Sequence, residues 1–283
     1  MSNNILPKSD LYKITIITVS FNAEKTIRET INSVLMQENA AFEYIIKDGG
    51  SRDTTNNIVN SYRDQFSKRQ IKFRHIINPD SGIYEAMNEA ALLADGEYLL
   101  FLNAYDQLYD SNVIDKAVGF LSNHTQCDVL YGDTIMKDGC DVSVFKGDMM
   151  LINRRMPFAH QSCFVKVSEF KKMLFNEKYR ICADYDLILS LYQNGKIFLN
   201  MDTVISVYSL GGISSTQFVP KMKEHLMILA EHGFVSRYSP YIFLKMLEAY
   251  MKTFILALCP KALLTGLKRL YKYRIKKYEE IKL

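Results

Sequence analysis

The sequence predicts an α/β protein with a mostly parallel sheet, and three observations carry that prediction. Short β-branched runs alternate with stretches of helical periodicity, each run ends in a polar turn, and the units recur about every 30 residues.

Lys13 to Val19 (KITIITV) is the first strand, and in the SFNAEKTIRETINSVLMQ that follows, Ile27, Ile31, Val34 and Leu35 recur at helical spacing. FEYIIKD is the second strand. It is closed by GGSRDTT, with Asp53 or Thr54 placed as a helix N-cap before an apolar-periodic stretch through Tyr62. IKFRHII is the third, followed by the turn NPDSG, a helix from Ile83 to about Ala94, and the strand EYLLFLN. Residues 11–106 thus read as a Rossmann-like nucleotide-binding half. Beyond them the rhythm changes to a helix around 111–122, the strand DVLYGDTIM, and shorter strand candidates SCFVKV, IFLNM and TVISVYSL. This is expected to be an α+β half, residues 107–235, that completes the sheet and forms an acceptor site. From Tyr241 onward, Phe243, Leu244, Leu247, Tyr250, Met251, Phe254 and Leu258 form a helical stripe, with Lys245, Glu248 and Lys252 away from it and Pro260 ending it. The domain expectation is 1–235 plus a C-terminal helical extension, 236–283.

The 283 residues, 48% apolar and 23% charged, suffice for a full core. The net charge of +4 resides in the tail, where residues 261–283 hold eight Lys or Arg against two Glu. That leaves −2 for the remainder, so a nucleic-acid-binding body is not indicated. Five scattered cysteines without Cys-x-x-Cys spacing suggest neither a zinc site nor a disulfide framework, and they fit a reducing cytosol. MSNNILPKSD has no apolar h-region and no window of 18 uncharged apolar residues occurs, so a cytoplasmic protein is expected.

In a parallel sheet all strands deliver their C-terminal ends to one edge. There the sequence places Thr18, Ser20 and Asn22 after the first strand, Asp48-Gly49-Gly50-Ser51 after the second, Asn78-Pro79-Asp80-Ser81-Gly82 after the third, and Asn103 with Asp106 after the fourth. A nucleotide pocket follows. Asp48 is placed to accept N–H or O–H groups of a base or ribose, and Asp106, helped by Asn103, offers the oxygen ligands that Mg²⁺ or Mn²⁺ prefers. No P-loop or Gly-x-Gly-x-x-Gly occurs, which weighs against ATPase and dehydrogenase chemistry. Gly49 and Gly50 read as turn residues. His160 with Gln161 reads either as a contact to acceptor or diphosphate or as a hydrogen-bonded core pair. Asn88 reads as a loop-orienting or an exposed helical residue. The tail stripe beside a +6 segment reads as an interfacial helix on anionic lipid, or as a packing or dimer face.

ITIITVSFNAEKTIRETINSVLMQ, YIIKDGGSRDTT and NPDSGIYEAMNEAALLADGEYLLFLNAYD resemble the first half of the family 2 glycosyltransferases, which have the GT-A fold. YGD at 131–133, PFAHQSCFVK at 157–166, ICADYDL at 181–187 and SLGGISS at 209–215 resemble a bacterial, colanic-acid type subgroup that assembles surface polysaccharides. The resemblance implies that the family's metal-chelating Asp-x-Asp element falls on Asn103-Ala104-Tyr105-Asp106, where only the last acid is present. It implies sugar-donor contacts from Thr18, Ser20 and Asp48, with Asp80 following the third strand, and a catalytic base at Asp184, with Asp186 as neighbouring candidate. The implied activity is metal-dependent (Mn²⁺ or Mg²⁺) inverting transfer of a hexosyl group, from a UDP- or GDP-sugar to a lipid-linked saccharide, by an enzyme peripheral on the inner face of the membrane. A single carboxylate suffices for it, unlike the pair a glycosidase needs. Taken alone, Asp184 at a helix start also reads as a cap. Two rivals remain at this level: a sugar-nucleotide-binding protein without transfer, motivated by Tyr105, and a nucleotidyltransferase, for which SFNAEKTIRET lacks the glycine-rich basic loop.

Overall fold

The computed structural model describes residues 13–38, 42–138, 141–209, 217–236 and 240–258. The chain divides into two units, residues 1–215 and 216–283. In the first, the order begins β1 (Ile14–Ser20), α1 (Ile27–Leu35), β2 (Phe42–Asp48), α2 (Thr55–Asn60), α3 (Arg63–Lys68), β3 (Lys72–Ile77), α4 (Ile83–Leu92) and β4 (Tyr98–Phe101). It continues with β5 (Gln107–Leu108), α5 (Val113–Asn123), β6 (Val129–Asp138), β7 (Asp141–Phe145), β8 (Cys163–Lys166), α6 (Val167–Met173), α7 (Ala183–Gln193) and β9 (Phe198–Ser209). Short 3₁₀ turns cover Met149–Leu151 and His160–Ser162.

Among the described residues these strands form a nine-stranded sheet in the order β3-β2-β1-β4-β8-β6-β9-β5, with β7 paired to β6. The first four are parallel, and β8 runs antiparallel to both β4 and β6. β1, β2 and β4 are buried along their whole lengths, which explains their unbroken β-branched and aromatic sequences: both faces of a parallel sheet are covered. α1 lays Ile27, Ile31 and Val34 into one cluster with Ile14, Ile16, Tyr44 and Ile46. Phe101 joins a different group, its ring 5.3 Å from Phe170 and 5.2 Å from Phe175, and Phe175 lies 5.1 Å from Tyr84. That aromatic cluster ties β4 to α4 and to the segment leading into α7. The register aligns Ser20 with Asp48 and Asp48 with Ile77, so three strands end together.

Two local expectations are revised. The helical stretch expected through Tyr62 ends at Asn60 as α2, and a second short helix, α3, follows it from Arg63. IFLNM and TVISVYSL form one strand, β9, whose pairing with β6 shifts register around Tyr131 and Asp133 while Asp202 takes φ of 52°. From the Tyr131–Asn200 pair to the Thr134–Ser206 pair β6 advances three residues and β9 six, so three extra residues of β9 are absorbed as an irregularity instead of breaking the strand. Residues 11 and 12, SLGGISS beyond Ser209, Pro260 and the basic segment 261–283 lie outside the described residues. In the second unit α8 (Phe218–Glu231) and α9 (Pro240–Leu258) pack together. No helix among the described residues is long and apolar enough to cross a membrane.

At the opposite edge of the sheet, Thr15 Oγ1 donates to Glu43 Oε2 at 2.9 Å and accepts from Gly96 N at 2.9 Å. A Cβ on Gly96 would stand 2.6 Å from Thr15 N and 2.8 Å from the Ile14 carbonyl carbon, which is backbone that cannot give way. Gly96→Ala should therefore cost about 2 kcal/mol and lower the thermal midpoint by roughly 4–8 °C. An unchanged midpoint in a thermal melt would show that the β1–β4 entry tolerates a side chain.

Candidate active site

The parallel strands bring the first polar clusters together as a carboxylate cradle. Asp48 is fully buried and saturated: Oδ2 accepts from Ser20 Oγ at 2.8 Å and Ser51 Oγ at 2.6 Å, and Oδ1 from Ser51 N at 2.6 Å, Gly50 N at 3.0 Å and Asn56 Nδ2 at 3.2 Å. Burial opposes its ionisation, yet the hydrogen bonds from Ser51, Ser20 and Asn56 outweigh burial and hold the carboxyl below its usual range. Asn22 binds the first loop to the second, accepting from Arg52 N at 2.9 Å while its own N–H donates to Ser51 Oγ at 2.7 Å. Its φ of 50° is one that asparagine tolerates better than most residues. Asp53 caps α2 through Thr55 N at 3.0 Å and also accepts from Glu24 N at 3.1 Å.

Thr18 lies beneath this surface. Fully buried, it donates to the Leu102 carbonyl at 2.6 Å and sits 3.0 Å from the Tyr44 hydroxyl, so it braces the start of the Asn103 turn. Asn88 is likewise committed to the protein. Its Nδ2 donates to Phe175 O at 3.0 Å and Glu177 Oε1 at 2.9 Å, and its Oδ1 accepts from Phe175 N at 2.8 Å. It is a clamp on the segment before α7. Asp80 Oδ2 lies 3.0 Å from the Nζ of Lys47, a residue the sequence reading passed over.

After β4, the Asn103 carbonyl accepts from Tyr105 N at 2.7 Å and Asp106 N at 2.9 Å, a tight turn that buries Asp106 and leaves Tyr105 43% exposed. Asp106 is 3% exposed, and Gln161 Nε2 reaches its Oδ1 only at 3.5 Å. Burial lifts its pKa to about 6, against the pull of the His160 charge and the Asn103 N–H. His160 bridges the two halves, with Nε2 3.1 Å from Asn103 Nδ2 and Nδ1 3.4 Å from Asp184 Oδ2. Burial works against its protonation, but the hydrogen bond and charge of Asp184, with the charge of Asp106, raise its pKa above the usual histidine value.

Asp184 sits in the first turn of α7, where the helix N-terminus favours negative charge. Its Oδ1 accepts from Tyr185 N at 2.9 Å and lies 3.3 Å from the Tyr84 hydroxyl, which donates to Ile181 O at 2.8 Å. Asp186, two residues on, projects elsewhere on the helix, lining a separate open pocket of about 630 Å³ with Asn88, Phe175, Asn176 and Glu177. The sequence reading missed Tyr84 as well as Lys47.

A divalent cation can be tested against these side chains. Asn103 Oδ1 is buried with no hydrogen-bond partner among the described residues, in the same tight turn as the Asp106 carboxylate. Two hard oxygens, one of them otherwise unsatisfied, fit Mg²⁺ or Mn²⁺ completed by phosphate oxygens and water. Among the described residues no group of three His, Cys, Asp or Glu could hold a metal alone.

The architecture matches solved sugar-nucleotide enzymes. A crystal structure of S. aureus TarS residues 1–349 in complex with UDP aligns at TM-score 0.60 with 20% identity, covering 84% of this chain and 70% of that one. The mannosyltransferase PcManGT from Pyrobaculum calidifontis, in complex with GDP-Man and Mn²⁺, aligns at TM-score 0.62 with 15% identity, covering 95% and 83%. The fold is GT-A, of the α/β class. The chain belongs to glycosyl transferase family 2, whose model matches residues 15–176. It is 31% identical over 210 residues to a PGL/p-HBAD biosynthesis glycosyltransferase of Mycobacterium bovis, covering 71% of this chain and 79% of that protein. It is 24% identical over 234 residues to the uncharacterized glycosyltransferase EpsJ of Bacillus subtilis, covering 75% and 66%.

The Asp106 environment has a stability signature. Its folded pKa of about 6 lies above the ordinary 3.8, so the folded state binds this proton more tightly than the unfolded chain. The stability it contributes is present below about pH 4 and lost as pH rises through about 6, amounting to about 3 kcal/mol. Asp106→Asn, which cannot ionise, should raise the thermal midpoint by about 5 °C or more near pH 7.5 and match the wild type near pH 4. Equal midpoints at both pH values would mean that Asp106 is not desolvated.

Proposed function

We propose that the protein is an inverting, metal-dependent glycosyltransferase that moves a hexosyl group from a UDP- or GDP-sugar to a hydroxyl of a lipid-linked saccharide during surface-polysaccharide synthesis. The observation that carries this reading is the placement of Asp184, linked through His160 to the Asn103–Asp106 turn. A base on one side and a diphosphate-binding turn on the other are what displacement at an anomeric carbon requires. Asp184 takes the proton of the acceptor hydroxyl, the oxygen forms a bond to the anomeric carbon from the face opposite the leaving group, and the nucleoside diphosphate departs with the bonding electron pair. His160 and the Tyr185 N–H hold the Asp184 carboxylate in place. Asp106 and Asn103 Oδ1 would hold Mg²⁺ or Mn²⁺, which supplies charge neutralisation for the departing diphosphate. Ser20, Asn22, Asp48 and Asp80 form the wall for base and ribose, with Thr18 and Asn88 supporting it from below and behind.

Asp184→Asn should reduce transfer at least 100-fold while UDP or GDP affinity, measured by calorimetry with Mn²⁺, stays within a few-fold. Asp186→Asn should keep most of the activity. If Asp186→Asn abolishes transfer and Asp184→Asn does not, the base is misassigned; a wild type that binds a sugar nucleotide and never turns it over makes the protein a binding module. Chelation with EDTA should abolish transfer, and Mn²⁺ should restore it.

The same reading places the enzyme peripherally on the inner membrane face. At 100° per residue, α9 has three faces. Ala249 is buried, with Ile242 and Met246 half-buried beside it; Phe243, Leu244, Leu247, Tyr250, Met251 and Phe254 are exposed over an arc of roughly 120°; Lys245 pairs with Glu248 at 2.7 Å on the third. The exposed apolar face is followed by the +6 segment 261–283. A full-length Phe243→Ser/Leu247→Ser/Phe254→Ser variant should remain in the supernatant when sedimented with anionic vesicles that carry the wild type down. Equal sedimentation of both would sink the membrane reading.

A further inference from the structure

Lys47 is a charged side chain with 0% exposure inside a central strand. Lysine is seldom fully buried unless paired, and here the pairing is complete. The ammonium has three hydrogens and three acceptors: Asn78 O at 2.6 Å, Asp80 Oδ2 at 3.0 Å and Glu89 Oε2 at 3.2 Å. These come from the turn after β3 and from α4, so one buried cation gathers the NPDSG turn against β2. Asn78 Nδ2 closes the group by reaching the Glu89 carboxylate at 3.4 Å.

The Asp80 carboxylate is held from a second side. It lies against Gly49, where an added Cβ would stand 2.6 Å from Oδ2, so the missing side chain leaves the space it fills. Oδ2 is engaged by Lys47, and among the described residues Oδ1 has no hydrogen-bond partner, while the side chain is 13% exposed. A carboxylate with one oxygen fixed and one free accepts hydrogen bonds in a defined direction. A buried ion pair is a poor way to gain stability, since apolar replacements are often neutral or better. Orientation of Asp80 accounts for the charge where stability does not.

We infer that Lys47 is a positioning residue for nucleotide recognition: it aims Asp80 at an N–H of the base or a ribose hydroxyl of the sugar donor, beside Asp48. This rests on the sugar-donor reading of the strand ends. The substrate part it serves is the nucleoside and not the transferred sugar, so it acts on ground-state binding.

The test measures UDP and GDP binding by calorimetry with Mn²⁺ for wild type, Lys47→Met, Asp80→Asn, the double variant and Gly49→Ala. Each single change should weaken the preferred nucleotide about tenfold, and the double variant should be no weaker than Asp80→Asn alone. Gly49→Ala leaves Lys47 in place and pushes Asp80 away from it, so it carries the test if Lys47→Met fails to fold. For UDP-GlcNAc or GDP-mannose turnover, KM should rise in parallel while kcat stays within twofold; a fall in kcat at unchanged KM would mark general damage and overturn the assignment. Wild-type affinity in Lys47→Met or Gly49→Ala, or losses that multiply in the double variant, would overturn it alone. A wild type that binds neither UDP nor GDP would overturn the sugar-donor reading and the assignment together.

Discussion

The imidazole of His160 is the contact on which the site depends, because it joins the end of a parallel strand to the first turn of a helix far along the chain. On one side it meets Asn103 Nδ2 at 3.1 Å and on the other Asp184 Oδ2 at 3.4 Å. With Nε2 accepting from Asn103, the neutral ring carries its proton on Nδ1 and donates toward Asp184. Protonation of Nε2 requires the Asn103 amide to turn its oxygen inward, which would pair the buried Oδ1 that otherwise has no partner. The amide orientation and the charge on the ring are therefore one variable, and any cation that takes up Asn103 Oδ1 favours the neutral ring. The turn after β4 and the carboxylate on α7 are thereby coupled through two hydrogen bonds.

Asp48 and Asp106 stand at the ends of strands of the same sheet and are driven in opposite directions. Asp48 receives five hydrogen bonds and is held ionised; Asp106 has one long side-chain contact and the Asn103 N–H, and burial lifts it to about 6. Carboxylates whose surroundings push their proton affinities apart serve different ends. A saturated carboxylate shapes a loop, here by fixing Gly50, Ser51 and Asn56 around the mouth of β2. An under-satisfied one is ready for a ligand of opposite charge. The strand ends thus divide into a rigid wall at β1 and β2 and an unsatisfied position at β4.

The strands and their common edge were legible because a doubly covered parallel sheet demands long β-branched runs with abrupt polar ends, and KITIITV, FEYIIKD and EYLLFLN have that form. The role of each polar residue was less legible. Thr18 and Ser20 are two positions apart on one strand and both are buried, yet one braces the Leu102 carbonyl at the end of β4 and the other the Asp48 carboxylate at the end of β2. Asp184 and Asp186 are equally acidic in sequence, and only the 200° between them on α7 separates the His160 side from the pocket at Asn176. Lys47 escaped notice because a charged residue near a strand end normally marks solvent; its partners lie about 30 residues away in chain. IFLNM and TVISVYSL are separate candidates in the sequence and one strand in the fold, because the register of β9 against β6 shifts around Asp202, which takes a positive φ.

Tyr105 is explained by the same turn. Its exposure shows that the position faces outward from the Asn103 turn, so an acid there would have been a solvated charge beside the site, whereas Asp106 is directed inward. On the proposed reading the protein then offers a cation one formal negative charge and one amide oxygen. A single carboxylate attracts a hydrated divalent ion weakly, and a nucleoside diphosphate brings most of the remaining charge and several hard oxygens. Cation and sugar donor would therefore enter as one complex instead of in sequence, and the site needs only one acid to receive them. The buried state of Asp106 fits that order: carrying its charge alone at neutral pH is costly, and a cation held there together with the substrate would offset that cost.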